Sequence, residues 1–200
     1  MARDRNEAIN SYITDMLALE DHIEKAVKGQ LTDLKEYSEV VVALRDIHTK
    51  VEHHISDLRM LSDQRNAGGV VESVKRAGSA LAGVAAGVID LIRTEGLPKN
   101  LRDDYTAFSL ANIGYVMLHT TALAVEDQEV ADLAHQHFRD YTHAVMRLNN
   151  LIPAAVVRFL EQQGLPVRAD IASEVNENVV QAWKQTSDSV SGQPVPARRL

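Results

Sequence analysis

The sequence predicts an all-α fold for this chain of 200 residues. Apolar residues recur every three or four positions along most of it, which is the period of an amphipathic helix. The 10 glycines and 5 prolines cluster at a few places and therefore mark where helices end. Connectors of unequal length between the longest segments then indicate how the helices pack.

Two long helices account for the first third of the chain. The first is predicted over residues 6–28 and ends before Gly29, a residue type common just after a helix. The second is predicted over residues 33–65, with Thr32 or Asp33 as its N-cap. Its apolar positions alternate by three and four, a heptad seam that favours packing in a bundle.

A third helix is predicted over residues 70–94 and has a different composition. It is rich in glycine and alanine, and residues 77–89 carry no charge. This uncharged run is too short to span a bilayer, which takes about 20 residues. We therefore expect a packed helix, with contact to a membrane or a partner as the alternative.

The second half of the chain contains two more long helices. One is predicted over residues 101–124 with Asn100 as its N-cap, and the other over residues 129–151, because Pro153 breaks or restarts the helix. Two shorter helices and a flexible tail complete the chain, over residues 154–163, 169–185 and 186–200.

Connector lengths predict the topology. Residues 29–32 join the first pair of long helices and residues 125–128 join the last pair, and such short links make antiparallel neighbours. About 35 residues separate the two pairs. A four-helix bundle with one long crossover has the ferritin-like arrangement. We expect residues 1–185 to form one such domain, with the extra helix in its crossover and the shorter helices at its C-terminal end.

Composition excludes several classes of function. A formal net charge of -7 argues against a nucleic-acid binder, and the absence of cysteine removes disulfides and cysteine–metal sites. We see no secretory signal and no apolar run long enough for stable membrane insertion, so the expected location is the cytoplasm. No nucleotide-binding or nucleophile-elbow motif occurs, and the sequence leaves open whether the protein is an enzyme.

The last predicted helix carries an apolar face that something must cover, either the bundle or a second subunit. The prediction is therefore a homo-oligomer, with a dimer favoured. This helix and the tail are also the candidate docking segments for a protein partner. The residues of the face are Ile171, Val175, Val179 and Trp183.

Polar side chains interrupt the seams of the long helices, where burial costs free energy unless the group is paired or binds a ligand. Glu20 lies in the stripe of the first helix, His54 in that of the second, and Asp140 and His143 are three apart on the fifth. Carboxylate and imidazole ligands suit iron, manganese or zinc. A hydrogen-bonded network without metal is the alternative. Weaker candidate ligands are His48, Glu52, Asn112, His119 and His137.

Two segments resemble the stress-associated YciF-type bacterial proteins of the ferritin-like superfamily. They are Asp15–His22, and Asp127–Ala134 together with the Asp140-x-x-His143 spacing that follows. The resemblance extends over residues 7–150 and implies a metal site with a Glu on two helices and Glu-x-x-His on the other two.

Matching this ligand pattern leaves two carboxylates missing. Glu20 matches the first helix and His54 the second, but Val51 stands at the acid position of the second, and Asn112 lies where the fourth helix lacks its Glu. The resemblance therefore implies a reduced site for one metal ion, held by Glu20, His54, Asp140 and His143, with a role in stress or oxidant protection.

Two other functions stay open. A metal-free bundle would act by self-association or by binding a partner. A hemerythrin-like metal protein is suggested only by the spacing His48-x-x-x-Glu52, without the second histidine pair of that family.

Overall fold

The computed structural model describes residues 5–34, 38–65, 96–168 and 170–191. These residues form five α-helices and contain no strand, which confirms the all-α prediction for the described ranges. The helix predicted over residues 70–94 and residues 192–200 of the predicted tail lie outside them. The helices are α1 (Arg5–Asp33), α2 (Ser38–Gln64), α3 (Leu97–Ala124), α4 (Gln128–Gln162) and α5 (Ile171–Ser191).

Four of these helices pack around one core. α1 lies against α2 and α3, and α4 lies against α3 and α2, while α5 packs on α4. Each inner face is apolar at the spacing of a helix, so the stripes meet along the middle of the bundle. The largest fully buried apolar side chains are Tyr115, Tyr141, Phe108, Ile9, Ile13, Ile23, Leu44, Leu58, Leu101, Leu118 and Leu148.

Side-chain contacts define the direction of each helix. Gln30 near the end of α1 donates to Asp104 near the start of α3, whereas the earlier residue Glu20 accepts from the later residue Tyr115, so these two helices are antiparallel. Arg65, just after α2, pairs with Asp127 at the start of α4. α1 is also antiparallel to α2, since Glu20 faces His54 whereas the later residue Glu24 faces His48. α2 and α3 therefore run parallel, and α2 ends at the opposite end of the bundle from the start of α3.

The first three helices differ from their predicted limits. α2 begins at Ser38 and not at residue 33, because the predicted N-cap residues Thr32 and Asp33 belong to α1. α1 continues through Gly29 because its next turn is packed: Gln30 is buried and bonds to Asp104, which outweighs the cost of about 1 kcal/mol of a helical glycine. α3 begins at Leu97, not at residue 101, with Gly96 in the place of the predicted N-cap Asn100. Pro98 is tolerated there because the first N–H groups of a helix have no intrahelical partner.

The break predicted at Pro153 is absent. α4 runs through this proline to Gln162, so the predicted helices over residues 129–151 and 154–163 are one. Buried residues on both sides, Leu148 and Ala155, keep the segment packed despite the missing N–H. The side chain of Asn176 on α5 also donates to the carbonyl of Asn150.

The last helix is longer than predicted. α5 covers Ile171–Ser191 and includes part of the segment predicted as a flexible tail. The first glycine after the turn at Gly164 is Gly192, so no helix-breaking residue intervenes between Ile171 and Ser191. Among the described helices, none has an 18-residue stretch apolar enough for a membrane span.

Candidate metal centre

A carboxylate without any solvent exposure lies at the centre of the bundle. Glu20, near the middle of α1, accepts a hydrogen bond from the Tyr115 hydroxyl at 2.6 Å on Oε1 and one from the Tyr141 hydroxyl at 2.5 Å on Oε2. Nδ1 of His54 lies 3.1 Å from Oε1. Helices α1, α2, α3 and α4 thus each contribute one side chain to this contact.

His54 lies between two carboxylates. Its Nε2 atom is 3.3 Å from Oδ2 of Asp140, and Nζ of Lys50 donates to the other oxygen of Asp140 at 3.0 Å. Burial alone would lower the pKa of His54, but the hydrogen bonds and charges of Glu20 and Asp140 outweigh it and raise that pKa. The pKa of Asp140 is lowered: burial would raise it, but Lys50 and His54 outweigh that effect.

His137 stacks on His54 from the next helix. The two ring centroids are 3.9 Å apart, with 25° between the ring planes. Burial, together with the charge on His54, lowers the pKa of His137 to about 2, so this imidazole is neutral. Its Nε2 atom lies 3.3 Å from Oδ2 of Asp57, whereas its buried Nδ1 atom has no hydrogen-bond partner within the described residues.

The two tyrosines serve as hydrogen-bond donors to Glu20. Burial and the negative charge of Glu20 raise the pKa of both Tyr115 and Tyr141 well above the ordinary value, so both remain phenols. Their rings also surround the imidazoles, since Tyr115 meets His137 edge-on at 5.0 Å and Tyr141 lies 5.4 Å from His54. The carboxylate is therefore held in one position by groups that pack in the core.

This geometry fits a metal ion. Glu20, His54 and His137 each offer one ligand atom, and the three atoms lie within 4.8 Å of one another. Histidines that bind metals usually donate their other ring N–H to a carboxylate, which orients the ring. Asp140 faces Nε2 of His54 and Asp57 faces Nε2 of His137, so the Nδ1 atom of each ring is free of these two aspartates.

Of the four residues predicted as metal ligands, three are connected and one is not. Glu20, His54 and Asp140 form one chain of contacts, but His143 is exposed on the outer face of α4. Each helical residue advances by about 100°, so His143 is rotated by roughly 120° from His137. The inner face of α4 is centred near His137 and Tyr141, which places Asp140 at its margin and His143 outside.

Of the weaker candidate ligands, one lies at the centre and the others lie elsewhere in the bundle. His137 joins the centre, whereas Asn112 donates to Phe138 and Thr142, and Nδ1 of His119 contacts the Ala131 carbonyl. His48 and Glu52 form a separate group with Glu24. Asp57 and the phenols of Tyr115 and Tyr141 also contact the centre, and the sequence does not identify them as site residues. No family model, curated protein or solved structure matches the chain.

Proposed function

We propose that this protein is a divergent ferritin-like bundle that binds one divalent transition-metal ion through Glu20, His54 and His137. Two features of the fold support the ferritin-like assignment. The pairs α1–α2 and α3–α4 are antiparallel, while α2 and α3 are parallel, as one long crossover requires. The candidate ligands also lie inside the bundle on facing helices, where ferritin-like proteins carry their metal.

The proposal depends on the Nδ1 atom of His137, which has no hydrogen-bond partner in the described part of the chain. A buried polar atom without a hydrogen bond costs about 1–3 kcal/mol, so a purely structural network would be expected to satisfy it. The same atom belongs to a neutral imidazole stacked on His54 and close to Glu20. A cation there would engage this nitrogen and replace the proton that His54 shares with Glu20.

The ligand set also indicates the kind of chemistry. Two histidines and one carboxylate leave coordination positions open, and iron(II) in such a site reacts with oxygen species. Tyr115 and Tyr141 would hold the Glu20 carboxylate in place, while Asp57 and Asp140 would orient the two imidazoles. We therefore propose protection against oxidants or stress as the role, with iron the first candidate and manganese or zinc the alternatives.

The test is the metal content of protein purified without chelator and without a metal-affinity resin. We expect about one ion of iron, manganese or zinc per wild-type chain after dialysis, and loss of that ion in His137→Ala. His143→Ala is the matched control, because this exposed histidine lies on the same helix and should leave the metal in place. Circular dichroism checks that each variant is helical, and His137→Gln replaces His137→Ala if the latter does not fold.

Two results would overturn the proposal. One is a wild-type protein without stoichiometric metal that also takes up none of these ions when they are added. The other is equal retention of metal in the His137 and His143 variants, which would place the ion elsewhere.

A second function, self-association or partner binding through α5, is favoured by a different observation. The side chains of Val175, Val180 and Trp183 on this helix are between 37% and 50% exposed, so the bundle does not cover them. Large apolar groups grouped on one surface are typical of interaction sites. This function needs no metal and is compatible with the buried centre.

A further inference from the structure

A second group of candidate metal ligands lies on α1 and α2, apart from the buried centre. Nε2 of His48 is 3.1 Å from Oε1 of Glu24, and Nδ1 of His48 is 3.5 Å from Oε2 of Glu52. We refer to Glu24, His48 and Glu52 as the Glu24 cluster. Glu24 follows Glu20 by one helical turn, about 6 Å along α1.

The Glu24 cluster has the composition and the access that a cation needs. Each of its residues offers one ligand atom, and the three atoms lie within 4.8 Å of one another. His48 and Glu52 are four residues apart on one face of α2, while Glu24 approaches from α1. Glu52 is 54% exposed, so water can reach the cluster and fill the remaining coordination positions.

One neighbouring ammonium group competes with a cation for the carboxylates of the cluster. Its two carboxylates face one imidazole and one ammonium group, that of Lys28, which contacts Oε1 of Glu24 at 3.2 Å. The Lys28 side chain is 68% exposed, and a pair of this kind contributes about 0–1 kcal/mol. A divalent cation can therefore displace Lys28 at little cost.

We propose that Glu24, His48 and Glu52 form a second, solvent-facing site for a divalent transition-metal ion. A mixed set of imidazole and carboxylate ligands with open positions suits zinc and manganese. This site shares no ligand with the buried centre and goes beyond the proposed function. The chain would then hold two separate mononuclear sites.

The test is a calorimetric titration of the full-length, metal-free chain with zinc. His48→Asn should remove one zinc site or weaken it by roughly tenfold or more, because a ligand is lost. His53→Asn is the matched control, since His53 is exposed on the same helix outside the cluster and its loss should change nothing. All three proteins are expected to fold, because His53 is exposed and His48 lies outside the buried core.

A third variant tests the role of Lys28. Lys28→Gln should tighten zinc binding by roughly two- to fivefold, because Glu24 loses its competing partner. Zinc stoichiometry and affinity that are the same in the wild type, His48→Asn and Lys28→Gln would overturn the proposal.

The titration also separates this proposal from that of the buried centre. If both sites exist, the wild type binds two zinc ions and His48→Asn binds one. If only the surface site exists, these numbers become one and zero. Failure of the buried centre therefore leaves the effect of His48→Asn intact.

Discussion

At the scale of single residues, Glu20 shows how a fully buried carboxylate is accommodated. An isolated buried charge is costly, and it is kept only where hydrogen bonds and an opposite charge replace water. Two phenols and one imidazole supply these contacts from three other helices. Glu20 and His54 are recognisable in the sequence as polar interruptions of apolar seams. The two tyrosines that donate to Glu20 are not, because no spacing along one helix specifies what faces it from another.

Asp104 is a second buried carboxylate, and it has no cationic partner in the described part of the chain. Gln30 donates to its Oδ1 atom at 2.7 Å, whereas Oδ2 of Asp104 and Oε1 of Gln30 have no partner there. Burial, to which the charge of Asp103 adds, raises the pKa of Asp104 to about 7 despite the hydrogen bond from Gln30. A proton on Oδ2 would also allow this atom to donate to the amide oxygen.

This raised pKa predicts that Asp104 makes the protein less stable as the pH rises. Below the ordinary pKa of 3.8, Asp104 is protonated in both states and has no effect. Between 3.8 and about 7 only the unfolded state releases the proton, so the free energy of unfolding falls by about 1.4 kcal/mol per pH unit. Above about pH 7 the loss is constant.

Asp104→Asn should remove this dependence. The free energy of unfolding of the variant, relative to that of the wild type, should rise by about 2–3 kcal/mol from pH 5 to pH 8. Urea unfolding at the two pH values measures this difference. Asp46→Asn is the control, since Asp46 lies in an exposed pair with Arg147 and should change stability little at either pH. A difference between Asp104→Asn and the wild type that is the same at both pH values would contradict the interpretation.

At the scale of the helix, small rotations decide which residues reach the site. His137, Asp140 and His143 are three apart, and each step of three turns the side chain by about 60° backwards around α4. His137 is buried, Asp140 is at the margin and His143 is exposed. The spacing alone predicts that two of these residues share a face, but the centre of the inner face depends on where α2 and α3 pack.

The start of α3 offers a test of how closely two helices approach. Gly96 has a φ of 101°, in the left-handed region, and a Cβ atom added to it would lie 2.6 Å from the Phe159 ring of α4. Gly96→Ala should therefore lower the free energy of unfolding by about 2–4 kcal/mol, since strain and steric overlap add.

Gly164→Ala is the control for this substitution. Gly164 also has a left-handed φ, 76°, but an added Cβ would meet nothing within 4 Å. Its expected cost is therefore only the backbone strain, about 1–2 kcal/mol. Urea unfolding compares the two variants, and equal losses would mean that Phe159 moves aside without cost.

At the scale of the whole molecule, the functional proposals depend on the directions of the helices and on the exposed apolar side chains of α5. The parallel orientation of α2 and α3 brings side chains from four helices to one buried centre. α5 contributes nothing to that centre, and packs on α4 with Trp183 half exposed. The proposed metal binding and subunit association would therefore use different parts of the chain.

Trp183 reports on association because it is the only tryptophan in the sequence. If a second copy covers α5, tryptophan emission should shift to shorter wavelength as the protein concentration rises from about 1 to about 100 μM. Val175→Glu should abolish the shift by placing a charge on the same surface. Gln181→Glu adds the same charge at an exposed polar position of α5 and should preserve it. Emission independent of concentration would count against self-association through this helix.

The sequence by itself determined the helical class, the approximate extent of α1 to α3 and the apolar stripes, because the period of a helix is a local property of the chain. It also identified Glu20 and His54 as polar residues inside those stripes. Only the tertiary structure decided that His137, and not His143, lies beside Glu20 and His54. It also decided that Tyr115 and Tyr141 contact Glu20 and that Asp57 contacts His137. Packing on both sides of Pro153 also decided that α4 continues through this proline. These outcomes depend on how neighbouring helices rotate and pack, which residues distant in the sequence determine together.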